Sequence, residues 1–157
     1  MALTIDEIKN SYPLPAYNYK VEINGKAVGF SEVTGLNISH ATTTYKESPT
    51  QGGAAGPRKM IMPAQLGEVK ITLKKGVVRG DSIATLFQWI NGIQINRVEK
   101  KDIHIRLCDE KGDAVISWKV INAFPTQLDA PSFNAGSNDA AIESMQLTGD
   151  RIVIEAA

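Results

Sequence analysis

Asp81-Ser82-Ile83-Ala84-Thr85-Leu86-Phe87-Gln88-Trp89-Ile90-Asn91-Gly92 runs on through residues 93–98 and Glu99-Lys100-Lys101-Asp102 into Ile103-His104-Ile105-Arg106-Leu107, and its hydrophobic period changes on the way. Asp81 is placed to cap a helix by accepting from the first free backbone N–H groups. Ile83, Leu86, Phe87 and Ile90 follow at i, i+3, i+4 and i+7, one stripe of a helix expected to face the core. Asn91-Gly92 stops it, because glycine takes the left-handed conformation without steric cost. Ile103, Ile105 and Leu107 then alternate with Asp102, His104 and Arg106, the period of a half-buried strand. The rest of the chain reads as strands and turns.

Tyr17, Tyr19, Val21 and Ile23 alternate up to Asn24-Gly25, a two-residue turn signal, and residues 26–30 return as a hairpin. Residues 36–45 continue as a strand rich in β-branched Thr42, Thr43 and Thr44. Val69, Ile71 and Leu73 form one face of a further strand. Ile116, Trp118 and Val120 do the same within 114–123, after the polar turn Asp109-Glu110-Lys111-Gly112-Asp113. Residues 125–138 are turn-rich. Residues 140–147 admit two readings: helix by propensity, or a bulged strand in which Ile142 falls out of step with Met145 and Leu147. A terminal strand follows Thr148-Gly149-Asp150. These elements predict a mainly β protein: two antiparallel sheets forming a barrel or sandwich, with one flanking helix.

The 157 residues predict a single domain, residues 1–157, large enough to bury a core without a staple. Residues 1–15 form an N-terminal arm: a short helix is expected over 1–11, ended by Tyr12-Pro13-Leu14-Pro15. Over 46–66 the pattern dissolves under Ser48-Pro49, Gly52-Gly53, Gly56-Pro57 and Pro63, which predicts a long loop. Its Met60-Ile61-Met62 is apolar, so the loop is expected to pack against something, a second copy included.

Seventeen basic and seventeen acidic residues give zero formal charge, which disfavours a protein built to coat nucleic acid or an anionic membrane. Lys70, Lys74, Lys75 and Arg79 cluster mid-chain while Asp129, Asp139, Glu143, Asp150 and Glu155 make the last third acidic, an asymmetry that suits head-to-tail self-association. The single Cys108 excludes an internal disulfide and a cysteine zinc cluster and reads as a small buried hydrophobe. Residues 1–10 carry acids and no apolar h-region, and no run approaches the ~20 apolar residues of a membrane helix, so folding in a cytosol without membrane anchoring is expected.

Chemistry is sparse. His40 and His104 each sit inside a strand pattern, and neither pairs with Cys108 in a nucleophile motif. There is no Gly-x-Ser-x-Gly and no His-Glu-x-x-His, and the glycine-rich 52–59 lacks Walker spacing. No catalytic residue, cofactor or metal is expected. What remains is a strand-rich body with edges able to pair, and head-to-tail contacts between such bodies close rings or grow filaments. The alternative is a small β-sandwich binding module, for carbohydrate for example. It would need exposed aromatics on one face, whereas Tyr17, Tyr19 and Trp118 alternate as core residues do.

Several segments, in order, carry a resemblance: Tyr12-Pro13-Leu14-Pro15-Ala16-Tyr17, residues 28–36, Ile71-Thr72-Leu73-Lys74-Lys75-Gly76, Phe87-Gln88-Trp89-Ile90, Lys100-Lys101-Asp102-Ile103, Trp118-Lys119-Val120-Ile121-Asn122-Ala123-Phe124-Pro125 and Pro131-Ser132-Phe133. Together they resemble the phage tail tube protein family, and within it the inner-tube proteins of extracellular contractile injection systems of the antifeeding-prophage and virulence-cassette type. The resemblance implies hexameric rings stacked into a hollow tube, inside a contractile sheath and on a baseplate with its spike. It implies no enzyme, and it adds a tape-measure protein or lumen cargo to the implied partners. Assembly in the bacterial cytoplasm, into a phage tail or an extracellular particle, is implied as well. By position, residues 46–66 would contact a neighbouring subunit through Lys46, Arg58, Lys59 and Gln65 together with Met60, Ile61 and Met62. The helix would face the sheath through Asp81, Thr85 and Gln88, with Trp89 buried or at a seam. Many relatives read Lys-Met-Pro-Gly where this chain has Lys59-Met60-Ile61-Met62-Pro63-Ala64, a departure that touches the loop's detailed contacts.

Overall fold

The computed structural model describes residues 2–50, 52 and 55–156. Positions 51, 53 and 54, which fall in the loop expected over 46–66, lie outside the described residues, as do 1 and 157. Helix α1 (Ile5–Ser11) precedes strands β1 (Tyr19–Ile23), β2 (Lys26–Val28), β3 (Glu32–Thr34), β4 (His40–Glu47), β5 (Arg58–Leu66) and β6 (Val69–Gly76). A π-helical turn (Ser82–Phe87) runs into α2 (Gln88–Asn91). Strands β7 (Lys101–Cys108), β8 (Ala114–Asp129), β9 (Ile142–Gly149) and β10 (Arg151–Ala156) complete the chain.

Every pairing is antiparallel, in the order β2-β1-β7-β8-β9-β6-β3 with β10 beside β8, while β4 and β5 pair only with each other. Strand β8 belongs to two sheets. Its first part lies between β7 and β10, and its last part, from Phe124, pairs with β9. The result is the expected pair of antiparallel sheets with a helix at the side, as a sandwich: the strand order stops at β2 and β3 instead of closing. Val21, Ile23, Ile103, Ile105 and Val120 from one sheet meet Ile71, Leu73, Met145 and Leu147 from the other in one core. Cys108 is buried at the end of β7.

Asn24 (φ 52°) and Gly25 (φ 83°) both take the left-handed conformation that a two-residue hairpin demands, so the β1–β2 turn forms where the sequence places it. The bend in β8 sits at Asn122 (φ 54°), whose backbone N–H donates to Asp102 Oδ1 at 3.0 Å and whose Nδ2 donates to Asp150 Oδ2 at 2.8 Å. Gly149 lets β9 turn into β10 across this bend. A Cβ there would stand 2.8 Å from Val120 Cγ1 and 3.1 Å from the Ile121 carbonyl.

Four sequence readings need correction. Residues 58–66 are strand β5, not loop: β-branched Thr43 and Thr44 stand opposite Met62 and Ile61, and Pro63 is tolerated because a two-stranded ribbon leaves its missing N–H on a free edge. Strand β8 continues through Pro125 to Asp129, with the register shift between Pro125 and Gln127 absorbing the proline. Residues 142–149 are a regular strand against β6, with no bulge. Ile142 is out of step because Glu143, not Ile142, points inward beside Met145 and Leu147. Tyr17, expected in the core, is exposed at the foot of the arm, whereas Tyr19 and Trp118 pack against the core.

The helix is also turned from its expected face. Buried positions are Ser82, Thr85, Leu86 and Trp89, while Ile83 and Phe87 are 58 % and 48 % exposed. Two stripes of equal period share Leu86, and the one carrying Trp89 is buried because the indole removes the larger apolar area and satisfies its own polar atom. Trp89 Nε1 donates to the Glu99 carbonyl at 2.7 Å, and Lys101 Nζ stands 4.8 Å over the ring. Asp81 makes no capping bond; its carboxylate meets Lys26 Nζ at 3.4 Å instead.

Candidate assembly surfaces

Strands β4 and β5 form a ribbon of seventeen residues, eight and nine, none of them buried. Cross-strand partners share a face, so register assigns the two faces. One carries Thr43 with Met62, Tyr45 with Met60, and Glu47 with Arg58. The other carries Thr42 with Pro63, Thr44 with Ile61, and Lys46 with Lys59. Ile61 is 64 % exposed, and Tyr45 and Met62 are exposed too. Arg58 Nη1 lies 3.8 Å from Glu47 Oε1. Lys46 and Lys59 stand directly opposite each other, a like-charge pairing unfavourable in isolation. The structure therefore brings Lys46, Arg58, Lys59, Met60, Ile61, Met62 and Gln65 onto one projecting ribbon. A lone two-stranded hairpin is marginal in water, so this one gains by being covered.

On the helix the expected surface residues divide. Asp81 and Gln88 reach the surface, but Thr85 and Trp89, 8 % and 4 % exposed, belong to the interior. Ile83 and Phe87 take their place outside, and the sequence reading missed them. The signal was there: the stripe left over once the tryptophan is assigned inward is itself apolar.

Free edges remain on β2, β3 and β10, each paired on one side only. A cavity of about 500 Å³ opens between the sheets, lined by Leu14, Tyr19, Val33, Leu36, Ile105 and Trp118. Tyr19 Oη donates to the Phe30 carbonyl at 2.7 Å. Burial, with the Glu32 carboxylate adding repulsion, raises the Tyr19 pKa above its ordinary value. The cavity holds no nucleophile paired with a base. Among the described residues no group of three or more His, Cys, Asp or Glu is placed to hold a metal, and no helix is long and apolar enough to cross a membrane.

The sequence model of the T4-like virus tail tube protein gp19 matches residues 15–153. The chain belongs to the T4-like virus tail tube protein family. Three solved structures are similar over nearly the whole length. A chain of the PVC sheath–tube complex, an extracellular contractile injection system in its extended state, is 39 % identical with a TM-score of 0.88, covering 99 % of this chain and 100 % of that one. A chain of the PVC sheath/tube terminator is 41 % identical with a TM-score of 0.83, covering 93 % and 99 %. A chain of the anti-feeding prophage tube-terminating cap is 41 % identical with a TM-score of 0.84 and covers both chains fully. Among curated proteins no sequence matches.

Proposed function

We propose that this chain is a structural subunit of the inner tube of a contractile injection system. Copies form hexameric rings that stack around a hollow lumen, and sheath contraction drives the tube through a target envelope. It performs no catalysis. The tube assembles in the bacterial cytoplasm and leaves as part of the particle. One observation carries the reading: full-length likeness to a chain of a sheath–tube complex, on a fold whose seventeen-residue ribbon has no buried position.

The ribbon is the inter-subunit contact, through Lys46, Arg58, Lys59 and Gln65 at its polar positions and Met60, Ile61 and Met62 at its apolar ones. The sheath-facing surface is the outer helix face, Ile83 and Phe87 with Asp81 and Gln88 beside them. A baseplate and spike protein supply the other contacts, and a tape-measure protein or cargo occupies the lumen.

Electron microscopy of the purified protein tests this. Rings or tubes are expected, and replacing Met60, Ile61 and Met62 with Ser is expected to leave a folded chain that assembles poorly. Strict monomers at every concentration, with sheath and baseplate proteins added, overturn the reading.

A further inference from the structure

The β4–β5 ribbon is tied to its own body through its root. It pairs with no strand of either sheet, no position in either of its strands is buried, and its Glu47–Arg58 ion pair is internal to it. The body grips the chain just outside the ribbon on both sides. On the way in, Leu36 packs against the core, and Gly35 (φ 89°) lies so close to β6 that a Cβ there would overlap the Lys70 carbonyl. On the way out, Val69 is buried and pairs with Gly149. Residues 37–39 and 67–68 are all that separates these anchors from the ribbon. Across that gap Gly67 N–H donates to the Ser39 carbonyl at 2.6 Å. A Cβ at Gly67 would overlap Ser39 Oγ and stand 2.9 Å from the Ser39 carbonyl, nearer than packed atoms come. Just beyond, the register slips between His40 and Thr42, an irregularity of the kind that bends a ribbon.

We propose that Ser39 and Gly67 form an elbow that sets the direction in which the ribbon projects, with Gly67 as its positioning residue. The elbow lies within one chain; only its consequence for assembly rests on the tube reading. Two features assign the role to this pair. The anchors on either side are held by core packing and sheet pairing, so a side chain wedged between Ser39 and Gly67 is relieved by moving the ribbon and not the body. The ribbon also buries no side chain that would restore its angle once the root is wedged. An error at the root grows along the strand. Strand β5 has nine residues, so at ~3.3 Å each its far end stands about 30 Å out, and a tilt of about 10° displaces that end by about 5 Å, one inter-strand spacing. A glycine at the root therefore keeps a long, otherwise unsupported element on one line.

Distance measurements on the dilute, unassembled chain test the elbow. Spin labels are placed through Thr44→Cys on the ribbon and Lys111→Cys on the body, both exposed positions, while Cys108 is buried and stays unlabelled. A single narrow distance distribution is expected. Adding Gly67→Ala is expected to shift or broaden it, and adding Ser39→Gly as well to bring it part of the way back, since the hydroxyl is the nearest obstruction. A distribution that Gly67→Ala leaves unmoved overturns the proposal. So does a body whose melting temperature falls with Gly67→Ala, because the glycine would then be supporting the core. Sedimentation reads the consequence: the protein concentration at half-assembly is expected to rise at least tenfold in Gly67→Ala and to drop again in the double variant. Assembly at an unchanged concentration by a chain whose ribbon has moved overturns the positioning role and leaves the tube reading standing. A chain without these substitutions that never associates overturns the tube reading, and the distance measurement still decides the elbow.

Discussion

Lys75 and Glu143 face each other across β6 and β9, and both are buried on the inward side. Lys75 Nζ donates to the Gly76 carbonyl at 3.0 Å, while Glu143 Oε1 has no hydrogen-bond partner among the described residues. No ion pair joins the two side chains among the described residues, so each is a polar group buried at a cost, and replacing both with apolar side chains is near neutral or better. Lys75→Met with Glu143→Met is therefore expected to leave stability unchanged or raised, read from urea unfolding midpoints. A lowered midpoint in the double variant would show that the buried polar groups contribute net stability. Tyr19 makes a pH prediction. Its folded pKa is raised, so the neutral phenol is favoured in the fold. That contribution is complete below the ordinary tyrosine value of 10.0 and is lost as pH rises through the folded value. Stability is expected to fall above about pH 10, and Tyr19→Phe to flatten that slope at a cost of about 1 kcal/mol for the bond to Phe30. The inward glutamate was not legible from sequence, because a charged residue at a core position looks like a break in register.

At the scale of elements, the helix tests how apolar area selects a face. Trp89→Ala removes the buried indole and its bond to Glu99, and a loss of about 3–5 kcal/mol is expected in thermal unfolding of the isolated chain. Ile83→Ser and Phe87→Ser are expected to shift stability by no more than about 0.5 kcal/mol each, while weakening co-sedimentation with sheath protein. The strands with strict alternation, β1, β6 and β7, were readable because one face is buried along each. Strand β5 was not, since no position in it is buried and so no alternation marks it. Proline and glycine dominated that reading, as proline did at the end of β8. The helix was readable as an element but not in its orientation, because two stripes fit the same period. Of the candidate contact residues, those on the ribbon gather on one projecting element, and those on the helix divide between surface and interior.

For the whole molecule, the lone chain is unlike its proposed working state. Three open strand edges, an uncovered ribbon and an unburied arm helix are all surfaces whose partners lie in other copies under the tube reading. Apparent thermal stability is therefore expected to rise with protein concentration, since association favours the folded state by mass action. Scanning calorimetry over a hundredfold concentration range reads this directly; a fixed Tm would mean that folding and association are uncoupled. Fold class was legible at this scale because turn signals punctuate the chain at short intervals, and the order of motifs pointed to the family. The path of the chain between the sheets was not legible. It depends on Asn122, an ordinary residue whose left-handed backbone is held by two carboxylates distant in sequence.

That bend has a mechanical corollary. Since β8 runs unbroken from one layer into the other, the two layers are welded by covalent main chain and not merely stuck together by grease. A thrust applied to one layer reaches its mate along a taut backbone cable, so a subunit rammed lengthwise resists delamination even where its side-chain packing is thin.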